Sequence, residues 1–260
     1  MNSQSGASQF KARWRSHQPQ FGMFARLTVP AAYETFALTS LDVIVIDLEH
    51  GSFDREALHL CMSLAQAGGL TVLVRVPEGD VAAIQHAVNV GADGIIMPHV
   101  SSAEVLKSVA KFVHATAVER AYAGGGRASR QRQTSWSDFR RLKSESLVFI
   151  AQIDEPAGIA AAASIVETEG IDGIFLGSIG LTLAMNSSAE AADAALAEVC
   201  RLCRARNLPI GLSLPDMRMA SDWYSKGVSL FVVDSDYSIL RRGIETRISE
   251  CRAALSGGKE

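Results

Sequence analysis

Polar side chains stand at the ends of four apolar runs of this sequence, where a strand would give way to a loop. Carboxylates can bind a metal ion or orient a proton carrier, a histidine can move a proton near neutral pH, and a guanidinium can hold an anion. The four ends are Asp47-Leu48-Glu49-His50, Arg75, Gln152-Ile153-Asp154-Glu155 and Asp234-Ser235-Asp236. Their residue types indicate acid–base chemistry beside a bound anion.

The order of these residues along each strand predicts which side chains point together. Because side chains alternate between two faces, Asp47 shares a face with Glu49, and Gln152 shares one with Asp154. Arg75 lies inside an otherwise apolar run, and a guanidinium is rarely buried without an anionic partner. That partner is either Asp47 or Glu49, in a buried ion pair, or an oxygen of a substrate. In a barrel the two need not exclude each other.

Of the six histidines, His50 is the leading candidate for proton transfer. It stands at a loop junction, where the carboxylate of Asp47 could fix its tautomer. A structural histidine tied to a loop carbonyl is the alternative for His50 taken alone. His99 follows the fourth apolar run and is a secondary candidate.

Eight short apolar runs alternate with helical patterns of period 3.6, which predicts strands buried on both faces with helices as crossovers. Eight such units favour a (β/α)8 TIM barrel over an open doubly wound sheet, although both read as alternating β and α. Barrel enzymes carry their chemistry at the carboxyl ends of the strands, where the polar residues stand. The eight runs are FGMFARL, DVIVIDLE, TVLVRV, GIIMP, LVFIAQID, GIFLG, PIGLSL and LFVVDSD.

Two segments stand outside the repeat of the predicted single domain, 1–260. Residues 1–20 form a short N-terminal extension, either frayed or docked as a helix, and 114–146 form a long insertion after the fourth unit. The insertion is either a solvated, mobile loop or an anion-attracting lid over the barrel mouth. Its basic residues are Arg120, Arg127, Arg130 and Arg132.

Composition excludes several classes of function. With 25 Lys and Arg against 28 Asp and Glu, the net charge of −3 offers no global field for nucleic acid or an acidic membrane. No apolar run is long enough to span a membrane, and the polar N-terminus lacks the apolar stretch of a secretory signal. Four scattered cysteines indicate a reducing compartment, so we expect a cytoplasmic protein. Cys200 and Cys203 are expected to be ordinary thiols on a helix face.

Five segments closely resemble the HpcH/HpaI aldolases, the class II pyruvate aldolases typified by 4-hydroxy-2-oxoheptanedioate aldolase. They are VIDLEHGSFD, VRVPEGD, VGADGIIMPHV, FIAQIDEPAG and EGIDGIFLGSIGLT. The resemblance spans roughly residues 20 to 250 with the motifs in order. It implies a barrel of the phosphoenolpyruvate/pyruvate-domain type and an aldehyde-lyase that reversibly cleaves a 4-hydroxy-2-oxo acid. It also implies a divalent metal, Mg, Mn or Co, that polarises the 2-oxo group so that an enolate forms.

The resemblance assigns roles residue by residue. His50 matches the family's acid/base histidine and Asp47 its partner carboxylate, whereas Arg75 matches the arginine that stabilises the enolate oxygen. Gln152 matches the glutamine near the bound oxo acid. The residues that match the backbone amides holding the substrate carboxylate are Gly177, Ser178 and Ile179.

The metal-ligand positions depart from the family's pattern. The family's glutamate, two residues after the glutamine, is Asp154 here, which remains a hard oxygen ligand. The aspartate of the G-P-x-D-L motif is Gly180, which offers no side-chain ligand. Asp172 is expected at the opposite end of the barrel, so it cannot substitute, while Glu155 and Asp234 lie closer. A weakened or absent metal is therefore expected.

Three functions remain open at this stage. The leading one is an aldolase of this family with an altered metal site, acting on a small 2-oxo acid and an aldehyde. The second is a metal-independent relative that catalyses another carbon–carbon condensation, and the third is a non-catalytic barrel that binds an oxo acid. Retention of His50 argues against the third, because binding a carboxylate requires no proton carrier.

The segment YSILRRGIETRISECRAAL predicts an amphipathic C-terminal helix. Family members exchange this helix between subunits, so the resemblance implies a homo-oligomer built on dimers, up to a hexamer. A helix packed on its own barrel is the alternative.

Overall fold

The eight apolar runs form a closed parallel barrel in the computed structural model, in the order β1 to β8. The structure describes residues 6–124, 127, 135–186, 188–214 and 216–256. The predicted (β/α)8 barrel is therefore confirmed, and the open sheet is excluded. The strands are β1 Gln20–Ala25, β2 Val43–Asp47, β3 Thr71–Arg75, β4 Gly94–Met97, β5 Val148–Ile153, β6 Gly173–Leu176, β7 Ile210–Ser213 and β8 Val228–Ser235.

Helices connect the strands and cover the outside of the barrel. Several helices follow a residue whose side chain accepts a hydrogen bond from a backbone N–H of the first turn, for example Asp54 before α3 and Asp80 before α4. The described helices are α1 Gly6–Arg15, α2 Pro30–Ala37, α3 Arg55–Ala67, α4 Val81–Asn89, α5 Ala103–Ala115, α6 Ala121–Gly124, α7 Trp136–Ser146, α8 Pro156–Ala160, α9 Ala162–Ile165, α10 Ser178–Met185, α11 Ala189–Ala205, α12 Ala220–Ser225 and α13 Asp236–Ser256. None of them is long and apolar enough to cross a bilayer.

Alternation along the strands builds the barrel interior in layers. On β2, Val43 and Val45 point inward and are fully buried, and Asp47 continues the same row upward. On β5, Val148 and Ile150 occupy the same interior cluster. The next inward side chains along that strand are polar, so a polar layer lies above the apolar interior of the barrel.

Helix α1 closes the opposite end of the barrel. Trp14 is fully buried in the interior cluster, and its indole N–H lies 3.4 Å from the carbonyl oxygen of Ile210. Lys11 donates to the carbonyl of Leu147 and pairs with Asp172 at 2.8 Å. The described part of the N-terminal extension is therefore docked through helix α1, Gly6–Arg15. Asp172 lies at the base of the barrel, as its place before β6 predicted.

The described part of the insertion also lies at the base. Arg127 Nη1 donates to the side chain of Gln66, at the end of α3, and to the carbonyl of Val90, at the end of α4. Both positions precede the next strand, so they lie away from the catalytic mouth. The lid alternative does not hold for Arg127, and Arg130 and Arg132 lie outside the described residues.

Candidate active site

A cavity of about 420 Å³ opens at the carboxyl ends of the strands, within the size range of small-molecule sites. Residues from all eight strands or the loops that follow them line it, so one pocket collects side chains far apart in sequence. Its polar lining consists of Arg26, Glu49, His50, Arg75, His99, Gln152, Asp154, Ser178, Ser213, Asp234, Ser235 and Ser238. Phe24 and Phe175 form part of its apolar floor.

Asp47 and Arg75 form a buried ion pair because β2 and β3 place them side by side in register. Arg75 Nε and Nη2 donate to the two carboxylate oxygens of Asp47 at 2.9 and 2.7 Å. Arg26 Nε donates to the same carboxylate at 2.7 Å. Burial alone would raise the pKa of Asp47, but the hydrogen bonds and charges of Arg75 and Arg26 outweigh it and lower the pKa. The carboxylate therefore stays ionised.

The same guanidinium has a free side that faces the pocket. Arg75 Nε lies 3.2 Å from Glu49 Oε2, and the guanidinium carbon lies 4.4 Å above the ring of Phe24. Within the described residues, Nη1 of Arg75 has no hydrogen-bond partner. A buried ion pair thus holds Arg75 in place and still leaves one N–H group for an anionic oxygen.

His50 lies at the mouth with its side chain half exposed, and its Nε2 is 3.9 Å from Glu49 Oε2. The expectation that Asp47 fixes the His50 tautomer is wrong. The carboxylate of Asp47 binds the guanidinium groups of Arg75 and Arg26, and its Oδ1 lies 3.3 Å from the backbone nitrogen of His50. Glu49 is the carboxylate beside the ring.

His99 proves central to the pocket, although the sequence made it only a secondary candidate. Its Nε2 lies 2.6 Å from Glu49 Oε1, and its Nδ1 lies 3.3 Å from both Asp154 Oδ1 and Glu155 Oε1. Burial alone would lower the pKa of His99, but the charges of Asp154, Glu49 and Glu155 outweigh it and raise the pKa. The surrounding carboxylates favour a positive charge at this place.

Gln152 and Asp154 point together into the pocket, as alternation predicted. Gln152 Nε2 donates to Asp154 Oδ2 at 2.5 Å, and both residues are almost fully buried. Gln152 Oε1 and Asp154 Oδ1 remain without a hydrogen-bond partner. Unpartnered buried oxygens are costly, so they mark where a ligand would make its contacts.

The loop after β6 turns into α10 beside Asp154. The backbone N–H of Gly177 donates to the carbonyl of Ile153, so Gly177 cannot also hold a substrate through its amide. Ser178 and Ile179 belong to the first turn of α10, whose N–H groups have no partner inside the helix. The predicted carboxylate-binding amides therefore reduce to Ser178 and Ile179, assisted by the positive end of the helix.

The side chains fit a metal ion only in an altered arrangement. A β-carbon added to Gly180 would lie 3.9 Å from Asp154 Oδ2, so this position does adjoin Asp154, but glycine supplies no ligand. Among the described residues, no three or more His, Cys, Asp or Glu side chains converge as a metal site. The unpartnered Asp154 Oδ1 and His99 Nδ1 are the two atoms that fit a cation.

The remaining predicted residues lie apart from this cluster. Asp234 lines the mouth but pairs with Arg242 at 2.5 Å, and Asp236 is buried and accepts the backbone N–H groups of Arg26 and Leu27. Cys200 and Cys203 are buried on α11, as expected for helix-face thiols, and burial raises the pKa of Cys200 to about 12.

Sequence reasoning missed Arg26, which holds Asp47 from the first strand. The signal was present, because Arg26 ends the run FGMFARL as Arg75 ends its own run. The predicted barrel makes β1 and β2 neighbours, but it does not determine which side chain of β2 the guanidinium of Arg26 reaches.

Comparison with known proteins places this site in a family. The family model described as HpcH/HpaI aldolase/citrate lyase matches residues 20–236. The chain belongs to the HpcH/HpaI family. It is therefore a carbon–carbon lyase of the aldolase type, as the motifs predicted.

Individual HpcH/HpaI proteins resemble the chain over nearly its whole length. A hydroxypyruvate/pyruvate aldolase of Delftia acidovorans is 28% identical over 254 residues, covering 95% of this chain and 93% of that protein. A 5-keto-4-deoxy-D-glucarate aldolase of Escherichia fergusonii is 26% identical, covering 94% and 97%. The crystal structure of citrate synthase SbnG has a TM-score of 0.82 at 22% identity, covering 95% and 98%, and this likeness concerns the fold alone.

Proposed function

We propose that this protein reversibly cleaves a 4-hydroxy-2-oxo acid into pyruvate, or a related 2-oxo acid, and an aldehyde. The observation that carries the proposal is the guanidinium of Arg75, fixed by Asp47 and Glu49 with one N–H side turned to the pocket. Breaking the bond between C3 and C4 leaves an enolate whose oxygen bears negative charge. A preorganised cation stabilises such an oxygen more in the transition state than in the substrate.

The substrate carboxylate is assigned to the first turn of α10, with the second N–H of the Gln152 amide nitrogen as a further donor. The amides of Ser178 and Ile179 have no partner inside the helix, and the helix dipole favours an anion there. These contacts would place the 2-oxo group between Arg75 and Asp154.

His50 is assigned the proton transfer. As the bond breaks, its ring accepts the proton of the 4-hydroxyl group, and a proton returns to C3 of the enolate to complete pyruvate. Exposure at the mouth suits this role, because the aldehyde leaves toward solvent. Glu49 Oε2 lies 3.9 Å from Nε2 of the ring.

A divalent ion held by Asp154 would supply Lewis acidity at the 2-oxo oxygen. With glycine at position 180, the site offers one carboxylate fewer than the family's pattern, so the proposal includes weak metal binding. The metal-independent condensation is the second candidate, favoured by the absent ligand at Gly180. The non-catalytic barrel has no such observation in its favour.

The test is the release of pyruvate from 4-hydroxy-2-oxo acids, followed with a coupled dehydrogenase after metal removal and after adding back Mn²⁺, Co²⁺ or Mg²⁺. The proposal expects turnover that a chelator suppresses and metal restores. Turnover unaffected by chelator would favour the metal-independent candidate, and no turnover under all conditions would contradict both.

We also propose a homo-oligomer assembled through α13. This helix buries only Asp236 against its own barrel, whereas Leu240, Ile244 and Ile248, spaced four residues apart, are exposed on one side. The four free cysteines support the predicted cytoplasmic location.

A further inference from the structure

His99 occupies a backbone conformation that costs energy and that aims its ring into the pocket. Its φ is 54°, in the left-handed region that non-glycine residues avoid, directly after the apolar end of β4. Strain of this kind persists only where the surroundings enforce it, and it concentrates at functional sites. The position therefore calls for a reason beyond packing.

The neighbours of the ring decide which nitrogen carries the proton. Nε2 lies 2.6 Å from Glu49 Oε1, and a carboxylate can only accept, so Nε2 donates to it. In the neutral ring Nδ1 then presents its lone pair to Asp154 and Glu155. A carboxylate that binds the far nitrogen of an imidazole is the usual companion of a metal-bound histidine.

Nδ1 faces two carboxylate oxygens without bonding to either. It lies 3.3 Å from Asp154 Oδ1 and 3.3 Å from Glu155 Oε1, yet neither Nδ1 nor Asp154 Oδ1 makes a hydrogen bond. Asp154 is 6% exposed, so its oxygen has little access to water. Two buried acceptors that face each other repel unless a proton on Nδ1 or a metal cation lies beside both, and a metal ion bound here would replace that proton.

We infer that His99 Nδ1 and Asp154 Oδ1 together ligate the divalent ion, with His99 in place of the carboxylate that position 180 lacks. Two ligands each about 2.1 Å from one ion, at tetrahedral or octahedral angles, lie about 3.0 to 3.4 Å apart, which the observed separation matches. Glu155, partly exposed, adds negative charge at the rim. The remaining coordination positions are left to water and the oxo acid.

The ligand type predicts the choice of metal. An imidazole nitrogen suits Zn²⁺, Co²⁺ and other first-row ions, whereas Mg²⁺ prefers an all-oxygen shell. The metal preference of the site is thus shifted away from Mg²⁺. The inference rests on the proposed function only for the role of the bound metal, since metal binding itself can be measured without substrate.

The test is a calorimetric titration of metal-free protein with CoCl₂, ZnCl₂ and MgCl₂, comparing the wild type with His99→Gly and Asp154→Asn. Glycine is chosen because it adopts a positive φ without strain. We expect the wild type to bind Co²⁺ and Zn²⁺ at least tenfold more tightly than Mg²⁺. His99→Gly should lose at least tenfold in Co²⁺ affinity with little change for Mg²⁺, while Asp154→Asn should weaken all three.

Two further variants keep the test decisive. His59→Gln alters an exposed histidine on α3 and should leave every affinity unchanged. His99→Asn, whose side chain also tolerates the left-handed backbone, can place an amide oxygen near the position of Nδ1 and should retain an intermediate Co²⁺ affinity. Thermal unfolding of each metal-free variant verifies that it is folded.

The outcomes separate this inference from the lyase. Co²⁺ binding that His99→Gly leaves intact, or a wild type that binds none of the three ions, overturns the metal site even if pyruvate is released. Binding that depends on His99, in a protein that releases no pyruvate, upholds the site and contradicts the lyase.

Discussion

Arg75 performs two tasks with different parts of one side chain. Nε and Nη2 are occupied by Asp47, which makes Arg75 part of the barrel's polar layer, and in the proposed mechanism Nη1 binds the substrate. A lysine cannot do both, because its single ammonium group lacks the planar fork.

Arg75→Lys should therefore lower the rate of pyruvate release about a hundredfold, the usual cost of removing one oxyanion donor. The coupled assay measures it. Arg218→Lys, at a guanidinium whose side chain is 90% exposed, is the matched control and should keep full activity. Equal rates for the two variants would remove Arg75 from the mechanism.

Asp47→Asn tests the buried pair through stability. Losing the carboxylate leaves Arg75 and Arg26 without their charge partner, so we expect a loss of about 3 kcal/mol in the free energy of unfolding at pH 7. Urea denaturation measures it. Glu198→Gln, in an exposed pair with Arg201, should leave the free energy of unfolding nearly unchanged.

The sign of the pH dependence follows from the lowered pKa of Asp47. The ion pair of Asp47 stabilises the fold at pH values above the carboxyl pKa of the unfolded chain. This stabilisation is lost as the pH falls toward the lower carboxyl pKa of the folded protein. The difference in unfolding free energy between wild type and Asp47→Asn should therefore narrow below about pH 4. A difference that stays constant from pH 7 to pH 3 would contradict this account of the pair.

At this scale the sequence predicted much of the site but not its internal pairing. Strand-end position and alternation identified Arg75, Gln152 and Asp154, because those rules are local. The importance of His99 depends on one backbone dihedral and on carboxylates from two other strands, which no local pattern encodes.

Among the secondary-structure elements, the start of α10 is where this chain departs most from the family's motif. Position 180 is in the first turn of this helix, and an added β-carbon would lie 3.3 Å from the β-carbon of Asp154. A carboxylate introduced there would thus adjoin Asp154, at the cost of a small local adjustment.

Gly180→Asp should tighten Mg²⁺ and Mn²⁺ binding at least tenfold, because it adds a second hard anionic ligand. Without metal, repulsion from Asp154 should lower the melting temperature, and Mn²⁺ should restore it. Calorimetry and thermal unfolding measure the two effects, with Gly180→Asn as the uncharged control. If aspartate and asparagine variants bind Mg²⁺ alike, position 180 does not adjoin the ion.

Strand and helix alternation was readable from the sequence for all eight units, because the strands are largely buried on both faces, as in β2, β3 and β5, and their runs are mostly apolar. The side of the barrel on which the insertion lies could not be predicted from the sequence. The contacts of Arg127 with the ends of α3 and α4 depend on where the chain turns after α5, which composition does not determine.

For the whole molecule, α13 is a helix that contacts its own barrel near its start and leaves most of its length exposed. Its exposed apolar side chains run along one side of a 21-residue helix, and a surface of this kind usually marks an interface. Ile244→Glu should therefore reduce the molar mass measured by light scattering to that of a smaller species. Arg241→Glu, a charge change off the apolar stripe, should leave the mass unchanged. A wild type that is monomeric at micromolar concentration would refute the proposed assembly.

The central claim is that this barrel forms the enolate of a 2-oxo acid at Arg75. Exchange of the methyl protons of pyruvate with D₂O, followed by proton NMR with Mn²⁺ or Co²⁺ present, reports that step without an aldehyde partner. The wild type should erase the methyl signal, and Arg75→Lys should do so far more slowly. A wild-type protein that binds pyruvate and leaves the signal intact would contradict it.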